Sequence, residues 1–595
     1  MVVTAPDWAK AKLFWASSPY TKLWQDPSLR PFEDKFLDKF TNSVIKPIEQ
    51  NLGIKFSDYA GLAQGQVTFA VMEVNPKNQS DSHVGAILIM DAKDHSDQLK
   101  TSLSQAIKKW SDAGKPIKPQ KIRDKDFTTL IVSRDDISLK KIFPNLKGVD
   151  AADDNDAKPG NKNMEITVGQ SDSLLLVSDS TEAIEKVLSR QAGGAIPPLL
   201  ESPTFQADYG PRLRESPIYL WVSAKTIVDM LTKAPAGADD QATATAARMD
   251  MIFSAIGLAN ITSASLSYQG SPEGTLAQLF LTVPEEKRPP LLKIIAADPK
   301  DSGPPSFVPA DAVKFLRWRL NMVRSWNTLS AMLTDLIPPA VMAQITAVFK
   351  MAGKDKDEHF DLKSELLNNL GDDIISYEKA PKAVKLSDLR SAPTLYLIGS
   401  PNPEKLAGAF KVILSIAMQG VPVTDREFLG RKIYTATPPA AATPMGSPFS
   451  SISFSPSGGY LAISTDPGIL EEYLRSSDST TKSLQDMPGL AEAAQKVGGL
   501  STGLFGMENE NQSMRPIIDV FRKHPISTQD LFGVPLPPTP MTEAMESFLQ
   551  WADFTLLPPY ETVSKYFYFS VYSGSFSSDG FSLKMYMPTP PQLRQ

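Results

Sequence analysis

The chain repeats its own pattern, and that echo constrains its fold more than any motif does. Residues 54–290 are followed, element by element, by residues 360–594. Leu99, Leu103 and Ile107, spaced as the buried stripe of a helix that also carries Trp110, fall on Leu406, Phe410 and Leu414 at an offset of 307 residues. Further on, an offset of 286 pairs Ile184 with Leu470 and Leu188 with Leu474. The drift in offset places length changes in loops while the elements persist. Chemistry shared by both halves should then sit at matched positions.

The elements read as strands and helices in a fixed order. Gly65 to Val71 is a turn running into an alternating strand, matched by Gly371 to Tyr377. Apolar strands follow at 86–90 and 395–398, each with its helix, and then strands at 127–132 and 431–436. The clearest match is strand 164–168, strand 174–179 and helix 181–190, against 452–454, 460–466 and 467–475. There Gly458-Gly459 signals a hairpin turn, and Asp466 precedes a proline at the first helical position. Strands 218–222 and 503–506 come next. Closing hairpins at 261–283 and 566–587 turn at Glu273-Gly274 and Asp579-Gly580. Tight turns between strands, with helices after only some, predict α+β rather than a doubly wound parallel sheet. The expected architecture is two tandem related modules, 1–298 and 308–595, each a mainly antiparallel sheet with helices on one face. A proline-rich linker, 299–307, is expected between them.

Composition narrows the function. At 595 residues the chain exceeds one core, and 42% hydrophobic content suits globular domains. A net charge of −6 without a basic block argues against nucleic acid as a partner. Cysteine is absent, which removes disulfides, thiolate nucleophiles and cysteine-held metals, and suits an extracytoplasmic protein. No apolar run is long enough to span a bilayer. Residues 1–8 read as the end of a strand entering a helix, with a longer counterpart at 309–316. An export signal or anchor, and half a strand, are therefore expected ahead of Met1; a cytosolic start at Met1 is the alternative.

The candidate chemistry is sparse. His83, His95, His359 and His524 lie at no metal-binding spacing, and none recurs in both halves. No nucleophile elbow, phosphate loop or dinucleotide fingerprint is present. Glu185 and Glu471 coincide on the matched helices, a pattern that more often marks a solvated face. The loop Asp150 to Asp156, with Glu165 downstream, suggests calcium until Lys158 and Pro159 fall where an oxygen ligand and glycine are required. Val534 to Pro540 reads as a rigid proline connector that an aromatic groove could bind, and Lys354 to Glu358 as a solvated turn. Phe32, Phe36 and Phe40, continued by Val44 and Ile48, form a helical stripe suited to core or to an apolar ligand. No catalytic, cofactor-binding or metal-binding residue is assigned, and no cofactor is expected.

The segment Ser18 to Phe32, the strand start at Pro309-Ala310-Asp311, and Leu461 to Asp466 before a helix together resemble a family of bacterial envelope proteins of unknown function, the DUF3352 type. That resemblance covers most of the chain. It implies an exported or membrane-anchored protein and brings no catalytic residues.

The sequence thus points to a non-enzymatic, extracytoplasmic binding or scaffold protein, periplasmic, secreted or envelope-anchored. Another envelope protein or an apolar ligand is the expected partner. A carrier or chaperone for apolar ligands or unfolded chains, drawing on the phenylalanine-rich helix of Phe32, Phe36 and Phe40 and on the 20 methionines, is one alternative. A hydrolase with one degenerate module is the other.

Overall fold

The computed structural model describes residues 1–52, 55–74, 83–133, 163–226, 228, 244, 247–248, 250–251, 253–254, 257–354, 358–382, 385–389, 391–418, 421–437, 451–476, 482–523, 525–532 and 540–594. The loop Asp150 to Asp156, the centre of the 354–358 cluster and residues 534–539 of the proline stretch lie outside them, as do His524 and the side chain of His83.

Two compact units form. The first takes in Met1–Ser223, Ser265–Gly270 and Arg522–Pro558; the second takes in Ala224–Ala264, Ser271–Phe521 and Pro559–Gln595. Each unit therefore includes chain from both halves of the sequence.

The first unit holds β1 (Val2–Ala5), β2 (Val67–Val74), β3 (His83–Asp91), β4 (Ile117–Ile122), β5 (Lys125–Ser133), β6 (Asn163–Ser171), β7 (Leu174–Ser178) and β8 (Ile218–Ser223). Pairing runs β8–β1–β2–β3–β7–β6–β5–β4, antiparallel throughout. β9 (Ser263–Ser271) contributes Ser265–Gly270.

The second unit holds β10 (Gly274–Thr282), β11 (Ala312–Arg319), β12 (Asp373–Lys379), β13 (Thr394–Gly399), β14 (Val423–Phe428), β15 (Arg431–Ala436), β16 (Ile452–Ser457), β17 (Tyr460–Ser464), β18 (Leu504–Glu508), β19 (Ser570–Ser577) and β20 (Gly580–Pro588). Its order is β10–β20–β19–β18–β11–β12–β13–β17–β16–β15–β14, again all antiparallel. From β18 to β14 this is the order of β8 to β4, strand for strand. Small polar anchors recur too. Ser178 donates its hydroxyl to the Ala86 carbonyl and accepts from the Ser180 amide; Ser464 does the same with Thr394 and Asp466.

An antiparallel α+β architecture is what the turn-joined strands predict. The helices, however, cover both faces of each sheet rather than one. In β7, Leu176 joins Ile184 and Leu188 of helix Thr181–Gln191, while Leu175 and Val177 join the cluster around Trp110 of helix Ser96–Asp112. Neighbouring strand residues point to opposite faces, so a run of four apolar residues needs cover on both. In the second unit Ala462 packs with Leu470 and Leu474, whereas Leu461 and Ile463 meet Leu406 and Phe410.

Residues 299–307 fall within the second unit. Ser302 is fully buried, its amide and hydroxyl both donating to the Leu500 carbonyl at 2.7 and 2.9 Å. The phenylalanine stripe packs within the first unit, with Phe32 buried and Phe36 and Phe40 half-buried. Phe32, Phe36 and Phe40 stack along helix Arg30–Phe40 and meet Phe554, Phe548 and Trp551 at centroid distances of 5.7, 5.7 and 6.0 Å. That face is occupied by side chains from far along the same chain.

Candidate functional site

The most developed polar site lies at one end of the second unit's core face. Along β11 and β12 the rungs pair Phe315 with Tyr377, Arg317 with Ile375 and Arg319 with Asp373. Alternation puts all six on one face, so the apolar core there gives way to charge within two rungs.

Asp373 sits at the centre. Its carboxylate accepts from Arg317 Nε and Nη2 at 2.9 and 2.8 Å, lies 2.8 Å from Arg319 Nη1, and accepts the Tyr460 phenol at 2.9 Å. Arg317 also donates through Nη1 to the Gly303 carbonyl at 2.9 Å and to Asp301 Oδ2 at 3.0 Å. Arg319 and Lys300 hold Asp372, and Lys300 and Arg324 lie near Asp298. Four carboxylates thus meet four cations. Arg319 Nε is buried without a hydrogen-bond partner among the described residues.

The electrostatics follow from this arrangement. Burial opposes the Arg317 charge but is outweighed by the Asp373 hydrogen bonds and the Asp373 and Asp301 charges, so its pKa stands above the ordinary value. Burial likewise opposes the Asp372 charge, and Lys300 and Arg319 reverse that, holding its pKa below the ordinary carboxylate value. Burial and the Asp373 charge push the Tyr460 phenol up. These shifts favour fixed charge states, not a group poised to exchange protons near neutrality.

Beside the cluster opens a cavity of about 390 Å³. Pro304, Pro305, Leu490 and Leu500 supply apolar wall, and Asp301, Arg317 and Gln485 its polar groups. In the first unit the register puts Val3, Ala5, Val67 and Leu174 where Arg317, Arg319, Asp373 and Tyr460 stand. Among the described residues the polar cluster therefore has no counterpart at the matched positions of the first unit. A search for polar residues matched in both halves passes over it. The signal was present as Arg317 and Arg319 alternating toward Asp372-Asp373, where the first half has Gln66-Val67.

The residues singled out in the sequence lie elsewhere. His95 ends a short turn, half-buried, with Nδ1 unbonded among the described residues, and His359 is exposed. Glu471 pairs with Arg426 at 2.6 Å and Arg475 at 3.0 Å, and Glu185 lies 4.0 Å from Arg123, so both tie a helix to a neighbouring hairpin. Glu165 pairs with Lys118 at 2.8 Å. Among the described residues no three histidine or acidic side chains are grouped to hold a metal, and no helix is long and apolar enough to cross a membrane.

No family model, curated protein or solved structure matches the chain.

Proposed function

We propose that this chain is a non-enzymatic, extracytoplasmic binding or scaffold protein of the bacterial envelope, descended from a doubled α+β module, whose partner is another envelope protein or an apolar ligand. The observation that carries the reading is helix Pro339–Met351 in the second unit. Lys350 is its sole charged residue, none of its residues is buried, and Val341, Ile345, Val348 and Met351 are 40–75% exposed. Val341, Ile345 and Val348 recur at helical spacing on one face. Such a stripe is ordinarily hidden, and left open it suits docking to an apolar surface. The same stripe favours the carrier or chaperone variant. The absence of cysteine supports an oxidising compartment, and the common strand order of the two units supports duplication.

Two measurements test the reading. Fractionation of cells from the native source, carrying an epitope-tagged chain, should recover it with envelope or periplasmic markers; recovery with cytosolic markers sinks the compartment. The purified protein should enhance the fluorescence of an apolar dye, and Ile345→Asp with Val348→Asp should abolish that enhancement without lowering Tm. Dye binding unaffected by the pair would remove the docking surface.

A further inference from the structure

The two carboxylates on Arg317 are held very differently. Asp373 is 10% exposed and takes two guanidinium N–H groups in a fork, with Arg319 and Tyr460 behind it. Asp301 is 70% exposed and offers Arg317 one oxygen at 3.0 Å. Among the described residues its other oxygen accepts only the Gly303 amide, at 3.2 Å. An ion pair so open to water contributes little, because solvent competes for both charges. Asp301 and Arg317 both line the cavity.

We propose that this cavity binds a carboxylate with an apolar body, which displaces Asp301 from Arg317. Three features fit one ligand. The guanidinium presents a directional donor at the cavity wall, suited to a planar carboxylate. An incoming anion restores the charge that Asp301 withdraws, so the four-to-four balance of the cluster is kept. Pro304, Leu490 and Leu500 shelter the apolar body, and the volume falls within the usual range for small-molecule sites. The side-chain amide of Gln485, exposed and without a hydrogen bond among the described residues, stands at the same cavity to meet a peptide group. A peptide C-terminus and a free aliphatic acid share this chemistry. Among the described residues of the first unit, Val3 and Val67 stand at the matched positions of Arg317 and Asp373.

The inference rests on reading the chain as a binder, and it is tested separately from compartment and from the apolar helix. Calorimetric titration of the full chain uses N-acetyl-leucine, hexanoate and, as the uncharged control, N-acetyl-leucinamide. Saturable binding of either acid, with the amide at least tenfold weaker, is expected. Asp301→Ala should tighten it about two- to fivefold, the equivalent of one exposed ion pair. Ala491→Trp, on an exposed cavity-lining residue outside the charge network, should abolish binding while leaving Tm unchanged. Preference for N-acetyl-leucine identifies a peptide C-terminus as the source, and equal or tighter binding of hexanoate an aliphatic acid. Equal affinity for the amide, binding indifferent to Ala491→Trp, or no saturation even with Asp301→Ala overturns the proposal, whatever the compartment proves to be.

Discussion

Gln278 of β10 lies directly opposite Lys584 of β20, and the pairing extends from them alike in both directions: Gly274 meets Pro588, and Thr282 meets Gly580. Gly274 and Gly580 each open their strand, so Gln278 and Lys584 hold equivalent places, four residues in. The seam is self-complementary, as an isologous contact between two copies would be.

That register is testable because the chain has no cysteine of its own. Gln278→Cys with Lys584→Cys should form one intrachain disulfide on mild oxidation, since opposed antiparallel residues hold their Cα atoms about 4.5–5.5 Å apart. Intact mass should fall by two hydrogen atoms, their electrons passing to the added oxidant. Oxidised protein should exceed reduced protein in stability by about 2–4 kcal/mol through the long loop closed. Persistent free thiols would refute the pairing.

The aromatic stack of the first unit depends on chain from the far end of the sequence. Phe32→Ala should cost about 3–5 kcal/mol in denaturant unfolding, the usual loss for a buried phenylalanine. Leu37→Ala, at an exposed position on the same helix, should cost within about 0.5 kcal/mol. Limited proteolysis of the Phe32 variant should release fragments from Arg522–Pro558 sooner than in the wild type, because Phe554 loses the ring it packs against. Equal costs for the two variants would contradict the packing.

Leu429 turns the β14–β15 hairpin at φ +50°, where a branched side chain crowds the backbone, followed by Gly430 at +72°. The side chain is 61% exposed and has little packing to lose. Leu429→Gly should therefore raise stability by about 0.5–1 kcal/mol, seen as a higher Tm. A lower Tm would show that the exposed leucine makes contacts that outweigh its strain.

Asp372 links stability to acid. Its folded pKa lies below the unfolded value, so it stabilises the fold above the unfolded pKa, and that contribution is lost as pH falls through the folded pKa. Wild-type stability should therefore decline below about pH 4. Asp372→Asn should be less stable than wild type at pH 7 and show a shallower decline with acid. Parallel pH profiles for the two proteins would exclude the linkage.

Local order was written in the sequence. Leu99, Leu188, Leu406, Ile184, Leu470 and Leu474 are all buried as their spacing required. Gly458 and Gly459 turn at positive φ, and Asp466 caps its helix through the amides of Gly468 and Ile469. The turn at Arg123-Asp124, with φ of 44° and 60°, was hidden because neither residue is a glycine. The helical phase of the phenylalanine stripe was legible, but Phe548, Trp551 and Phe554 as its cover were not.

Periodicity, turn chemistry and capping act over a few residues, so the sequence alone determined which segments became strands and helices, and in what order. Only the folded chain decided that helices cover both sheet faces, that Arg522–Pro558 belongs with the first unit, and that Arg317 meets Asp373 and Asp301 beside a cavity. Those outcomes depend on pairings between residues tens to hundreds of positions apart, set by the net free energy of burial and charge balance, which leaves no local period to read.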